Sequence, residues 1–300
     1  MFEILSEDLN LLMTKDPYFI AEISSNHSKN IERALKFIDT SKEVGCDAVK
    51  FQLFRINKLF APEILARSHE HQKRKEWELP YEFLPIISAK TKELGMEFAC
   101  TPFDLEAVDI LYPHVDFYKI SSYELLWEEL IRKCAETRKP LVLSTGMATE
   151  DEIKNAISVF KEVSTENLTI LHTVSGYPTP VNEANLAAIK TLQKQHGINV
   201  GLSDHSVSEA VLLRAAHRWN AEVIEFHLDL DGFGEEYKSG HCWLPNKIKT
   251  TIELIKNGFK ADGTGIKMPM PSEVKDRTWR TDPVDGLRPM IETRKNFKDE

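Results

Sequence analysis

One pattern constrains this 300-residue chain more than any other: a short β-rich run ending in a polar cluster, then a stretch with helical periodicity, recurring eight times. The runs are YFIAEIS (18–24), AVKFQLF (48–54), EFACTPF (97–103), FYKIS (117–121), LVLSTG (141–146), LTILHT (168–173), NVGLSDH (199–205) and AEVIEFHL (221–228). They are continuously apolar rather than alternating, and helical crossovers join them, which implies a parallel sheet covered on its outer face. In IERALKFIDTSKEVG, Ala34, Phe37, Ile38 and Ser41 share a helical face, as do Val211, Leu212, Ala215 and Ala216 in EAVLLRAAHRW. Gly45, Gly95 and Gly197 each follow such a segment, where a left-handed capping residue is expected. A count of eight suits closure into a (β/α)8 TIM barrel, an α/β fold. The alternative, an open doubly wound sheet, lacks its glycine-rich fingerprint, since the first run leads into Ile23-Ser24-Ser25-Asn26-His27.

The barrel is expected over residues 1–260, with 261–300 as a C-terminal extension packing on it, too short for a domain of ordinary size. Two insertions break the rhythm, 55–81 after the second run and 229–244 after the eighth, and long loops of this kind build or cover a barrel's active site. With a net charge of −9 and no basic run interleaved with aromatics, a nucleic-acid surface is not indicated, so an anionic ligand needs a local basic pocket. Cys46, Cys100, Cys134 and Cys242 have neither metal-knuckle spacing nor the density of a secreted framework, and are expected as free thiols in a reducing compartment. The acidic start MFEILSEDLNLLMTKD resembles no signal peptide, and no segment is apolar for long enough to span a bilayer; a cytoplasmic location without a membrane partner is the expectation.

In such a barrel, polar residues at the C-terminal ends of strands face the catalytic mouth. Here they include Glu22, Lys50, Gln52, Thr101, Lys119, Ser122, Glu124, Ser144, Tyr177, Ser203, Asp204, His205 and His227. Two lysines from different strands, ringed by small hydroxyls, suit a small ligand bearing both phosphate and carboxylate, a description that phosphoenolpyruvate fits. The bland alternative makes Lys50 and Lys119 structural lysines neutralised by Glu22 and Glu124. His205 and His227 end neighbouring strands, and paired imidazoles suit Mn²⁺, Co²⁺, Fe²⁺ or Zn²⁺ better than Ca²⁺. A carboxylate such as Glu22 or Glu236, water or substrate would complete the coordination, with His27 and His172 as alternative ligands. In GHCWLP (240–245), His241 and Trp243 are read as loop anchors or substrate contacts, with Cys242 buried, rather than as a metal pair. Arg277, Trp279, Arg280 and Arg288 either reach an anionic substrate or pack on the barrel.

The words AEISSNH, AVKFQ, TPFD, YKISS, LSTGM, YPTP, GLSDHS and EFHLDLD, in this order over 18–240, resemble those of the sialic acid synthase family. The resemblance implies a transferase that joins phosphoenolpyruvate to an open-chain N-acylhexosamine-like aldehyde, giving a nonulosonic acid and phosphate. It implies Lys50, Thr101, Lys119, Ser122, Ser144 and Ser203 for phosphoenolpyruvate, and His205 and His227 for a divalent metal, Mn²⁺ ahead of Mg²⁺ or Co²⁺. It implies Glu22, Gln52, Tyr177 and Asp204 for the sugar or its orientation and Glu22 and Glu124 for proton transfer; Glu236 is expected as a further sugar contact, Lys50 as catalytic beside the glutamates, and a homodimer as the assembly. Members carry a C-terminal antifreeze-like domain that this sequence is expected to lack, its arginine replaced by Arg277, Arg280 or Arg288, or lost. Where members read Gly-Pro-Asp after the eighth strand, this chain has Gly234-Glu235-Glu236-Tyr237-Lys238, which implies an altered sugar pocket. The rival readings are a 3-deoxy-ulosonate phosphate synthase using Arg55, Lys58 or the tail arginines for the phosphate of a phosphorylated aldose, a metal-dependent barrel hydrolase, and a non-catalytic sugar-binding barrel.

Overall fold

The computed structural model describes residues 16–297, which divide into two compact units between Ala261 and Asp262. In the larger unit the eight expected runs are strands: β1 Tyr18–Glu22, β2 Ala48–Leu53, β3 Glu97–Pro102, β4 Phe117–Ile120, β5 Leu141–Ser144, β6 Leu168–Thr173, β7 Asn199–Asp204 and β8 Val223–Leu228. Each pairs in parallel with the next, and β8 pairs with β1, so the sheet closes into a (β/α)8 barrel. Helices α1 Ile31–Val44, α2 Leu84–Glu93, α3 Leu105–Leu111, α4 Glu128–Glu136, α5 Glu150–Val163, α6 Ala187–His196, α7 Glu209–His217 and α8 Pro245–Asp262 follow the strands in turn. Gly45, Gly95 and Gly197 adopt positive φ at 95°, 67° and 62°, as their capping positions require. The insertion at 55–81 forms three short helices and a 3-10 turn, and a two-residue strand not expected from sequence, β9 Cys242–Trp243, lengthens the sheet beside β8.

Strand periodicity divides the side chains into two sets. One set packs outward, where Phe19, Val49, Phe51, Phe98, Ile120 and Phe226 join helix residues such as Phe37, Ile38, Leu212 and Ile252 in the main core. The other points inward: Ile20, Ala48, Ala99, Phe117, Val142 and Leu171, with Tyr18 and Val223 packed on them, fill the N-terminal half of the barrel. Two residues further along each strand the inward set turns polar, with Glu22, Lys50, Thr101, Lys119, Ser144, Thr173, Ser203 and Glu225. The apolar layer is thus the floor of whatever the polar layer does.

The second unit contains 3-10 turns Pro271–Glu273 and Lys275–Trp279 and a short helix, Ile291–Lys295. Within it, Asp282 accepts from the Val284 and Ile291 amides, Arg294 forks onto Asp285 at 2.6 and 2.8 Å, and Trp279 meets Phe297 edge-on. Arg280 Nε donates to the Arg277 carbonyl and Arg288 Nε to Thr281 Oγ1. All four cysteines are buried free thiols. Among the described residues no helix is long and apolar enough to cross a membrane.

Candidate active site

Strand register brings the inward polar residues together. Glu22 stands beside Lys50 on β2 and beside His227 on β8, and Ser203 stands beside Glu225. Lys50 pairs with Glu22, reaches Glu225 Oε2 at 3.3 Å and lies 3.5 Å from Thr101 Oγ1. Lys119 reaches Glu225 Oε1 at 3.5 Å, and Ser203 donates to the same oxygen at 2.9 Å. Burial disfavours the Lys50 ammonium, but Glu22 and Glu225 together outweigh it and hold the lysine charged. For Glu225, burial is likewise outweighed by the two lysines, which hold it down at about 2. Burial prevails at Lys119, which with Lys50 nearby drops to about 8 despite Glu225, and at Glu22, whose carboxyl is pushed up.

The sequence pointed to Glu124 as one of the neutralising carboxylates; in the structure Glu225 bridges both lysines and Glu124 bonds Ser121 instead. Glu124 lines the same cavity, and burial raises its pKa. Glu225 went unnoticed as a site residue, although it has the same strand parity as His227, the signal that reveals it. Above the charged layer opens a cavity of about 690 Å³ that Lys50, Lys119, Ser122, Ser144 and Ser203 line. Ser144 Oγ is buried without a partner, Ser122 Oγ accepts from the Gly146 amide at 2.9 Å, and Gln52 donates to Glu22 Oε1 at 3.0 Å.

His205 and His227 also line the cavity. His205 Nδ1 donates to the Val174 carbonyl at 2.9 Å, so Nε2 carries the lone pair; burial, then the neighbouring His227, pushes this imidazole down to about 3. His227 Nδ1 donates to Glu236 Oε2 at 2.9 Å, and this pairing outweighs burial, raising the pKa of His227 and depressing that of Glu236. Glu236 also accepts from Ser24 and Ser25, so it anchors a histidine rather than standing free for a sugar. Tyr177 lies over His205 with ring centres 4.3 Å apart.

Asp204 is not brought to the cavity. Its strand parity turns it outward, where it accepts from the Ser206 and Val207 amides, the Ser206 hydroxyl and the Trp243 indole at 2.6 to 3.2 Å. It ties β9 to the end of β7, a structural task in place of the expected sugar contact. His172, also of outward parity, donates to the Ala184 carbonyl, and His27 accepts from the Lys29 amide; neither joins the histidine pair. Arg55 is spent on the Phe54 and Leu79 carbonyls and stacks on Tyr81, while Lys58 pairs with Glu106 and Asp104. The insertion instead sends Phe60, His71, Arg74 and Trp77 to the outer cavity wall, residues not singled out from the sequence.

The donor set fits a divalent metal. Carboxylate-anchored and carbonyl-anchored imidazoles, each with its second nitrogen free, are the usual arrangement around a bound ion. Among the described residues His227, Glu236, His241 and Cys242 offer ligand atoms within 4.8 Å of one another, and the His205 ring centre lies 5.3 Å from that of His227. A neutral ligand in this group needs no proton removed, and the cavity leaves room for an exchangeable ligand.

The NeuB family model matches residues 37–267. The chain is 32% identical to the pseudaminic acid synthase of Campylobacter jejuni, with 85% of this chain and 78% of the relative covered. To the N,N'-diacetyllegionaminic acid synthase of the same species it is 33% identical, covering 87% and 82%. The crystal structure of N-acetylneuraminic acid (sialic acid) synthetase from Leptospira borgpetersenii, in complex with citrate, superposes with a TM-score of 0.77 at 27% identity, covering 88% of this chain and 90% of that one.

Proposed function

This chain belongs to the NeuB family, and from that membership we propose that it condenses phosphoenolpyruvate with the aldehyde of an open-chain N-acylated hexosamine, yielding a nonulosonic acid and inorganic phosphate. The observation that carries the reading is the layer of Lys50, Lys119 and small hydroxyls at the base of the cavity, directly above the barrel's apolar floor. A trianionic ligand with a carboxylate at one end and a phosphate at the other matches two ammonium groups and the ready hydroxyl of Ser144.

Lys50 and Lys119 hold the two anionic ends, with Thr101, Ser122, Ser144 and Ser203 around them. Donors fixed in a water-poor barrel are the kind that contribute most to stabilising developing charge. Gln52 and Tyr177 border the space left for the acceptor. His205 and His227 would hold a divalent ion, Mn²⁺ by preference with Mg²⁺ or Co²⁺ as substitutes, which would supply Lewis acidity for the acceptor's aldehyde. With both substrates oriented, C3 of phosphoenolpyruvate attacks the aldehyde carbon and water captures C2. Glu22 or Glu124, each with its pKa raised by burial, takes the proton from that water; the former aldehyde oxygen takes up a proton to become a hydroxyl, and the C2 hydroxyl gives up its proton as phosphate leaves by C–O cleavage and the ketone forms.

A phosphorylated acceptor is the second reading, favoured by His71 and Arg74 on the outer wall, where Arg74 Nε is buried without a partner. Phosphate release from phosphoenolpyruvate, followed with N-acylhexosamines and phosphorylated aldoses in Mn²⁺ or EDTA, separates the two. Release that requires the metal and an unphosphorylated acceptor supports the first reading. Release only with phosphorylated aldoses replaces it with the second, and no binding of phosphoenolpyruvate contradicts both.

A further inference from the structure

His241 is a histidine the assigned chemistry leaves without a task. It is buried in the segment 240–245, its Nδ1 has no partner, and its Nε2 lies 3.7 Å from Glu236 Oε2, beyond hydrogen-bond reach. A buried imidazole nitrogen without a partner, as Nδ1 is here, is rare enough to need a reason. Its ring centre stands 4.6 Å from that of His227 and 6.1 Å from that of His205, which are themselves 5.3 Å apart.

Those separations have a meaning for an ion between the rings. With metal–nitrogen bonds of about 2.1 Å, each ring centre lies roughly 3.2 Å from the ion, so two coordinated imidazoles have centres ~4.5 to ~6.5 Å apart across tetrahedral and octahedral angles. All three pairs fall in that span. Each ring also keeps a nitrogen for the ion: Nδ1 is committed in His205 and His227, to Val174 and Glu236, whereas His241 has Nδ1 unpartnered and Nε2 only loosely paired with Glu236 at 3.7 Å. His205, His227, His241 and Glu236 all line the cavity. Cys242, the other donor in the group, accepts from the Asn26 amide at 3.6 Å and does not line it.

We propose that His241 is a third imidazole ligand of the metal centre, joining His205 and His227, while Glu236 anchors the His227 ring. The proposal rests on the reading that this mouth holds a catalytic metal. It gives the segment GHCWLP a function, the completion of a three-nitrogen site that leaves the remaining positions to the acceptor and water.

The test counts nitrogens. Histidine-¹⁵N-labelled protein, stripped with EDTA and titrated with Zn²⁺, is followed by NMR, with the ring resonances assigned through single His205→Ala, His227→Ala, His241→Ala and His172→Ala variants. We expect one ring nitrogen each of His205, His227 and His241 to shift on Zn²⁺ binding, His172 to stay, and His241→Ala to weaken Zn²⁺ by at least about 10-fold. Shifts of His205 and His227 with His241 unmoved would overturn the third ligand and leave the proposed function intact. No shift in any of the three would overturn the metal reading itself. The measurement on the unsubstituted protein stands even where a variant fails to fold.

Discussion

Lys119 has the least secure charge in the site. Burial, with Lys50 beside it, lowers its pKa from 10.5 to about 8, so below that pH the ammonium is present and above it the amine is neutral. If it holds one end of phosphoenolpyruvate, kcat/KM for that substrate is level below pH 8 and falls as pH rises through it, because kcat/KM reports the free enzyme. The linked stability has the opposite sign: the buried charge costs stability below pH 8, and the cost fades as pH climbs toward 10.5. A pH profile of kcat/KM that stays flat to pH 10 would remove Lys119 from anion binding. Glu225 holds this arrangement together, and Glu225→Gln should cost about 3 kcal/mol in urea unfolding, since it leaves Lys119 buried without its carboxylate. The same variant should shift the alkaline fall of kcat/KM to lower pH; a variant as stable as the parent with an unmoved profile would contradict the bridging role. At this scale much of the site is legible in the sequence, because Lys50, Thr101, Lys119, Ser144, Ser203 and His227 follow from strand ends. What misleads is using strand ends without parity: the same rule that found Lys119 admitted the outward-facing Asp204 and passed over the inward-facing Glu225.

At the scale of elements, closure depends on how closely β7 and β8 approach. A Cβ at Gly201 would meet the Val223 carbonyl oxygen and lie 2.7 Å from Leu171 Cδ2 and 2.8 Å from Val223 Cβ, in the apolar layer under the site. Gly201→Ala should therefore destabilise by about 1–3 kcal/mol in urea unfolding, through overpacking against backbone. An unchanged midpoint and slope would mean the layer has slack the geometry does not reveal. The eight strands and the helix faces were readable because buried strands and amphipathic helices have distinct periods, and the residues foreseen on α1 and α7 are buried. β9 was not readable: two residues carry no period, and it exists through contacts made at a distance, the Trp243 indole on Asp204 and the Asp229 amide on the Trp243 carbonyl. The insertion at 55–81 was recognised as a loop near the mouth, but the side chains it delivers depend on how its short helices fold over one another. That is why Arg55 and Lys58, foreseen as phosphate ligands, are engaged elsewhere while His71 and Arg74 reach the cavity.

Across the whole molecule, one closed sheet orders the chemistry by depth: an apolar plug, a ring of paired charges and hydroxyls, then the histidines and the loops at the rim. The charge balance of the ring, two lysines against Glu22 and Glu225, means that an incoming polyanion competes with carboxylates already in place. On the proposed function, this depth order serves carbon–carbon bond formation with loss of phosphate by C–O cleavage. The most direct measurement uses phosphoenolpyruvate labelled with ¹⁸O at the bridging oxygen, with mass spectrometry of both products. The label is expected to leave entirely in inorganic phosphate while the acceptor gains three carbons as a 2-keto acid. Label retained in pyruvate, with the acceptor unchanged, would mean simple phosphate hydrolysis and would contradict it.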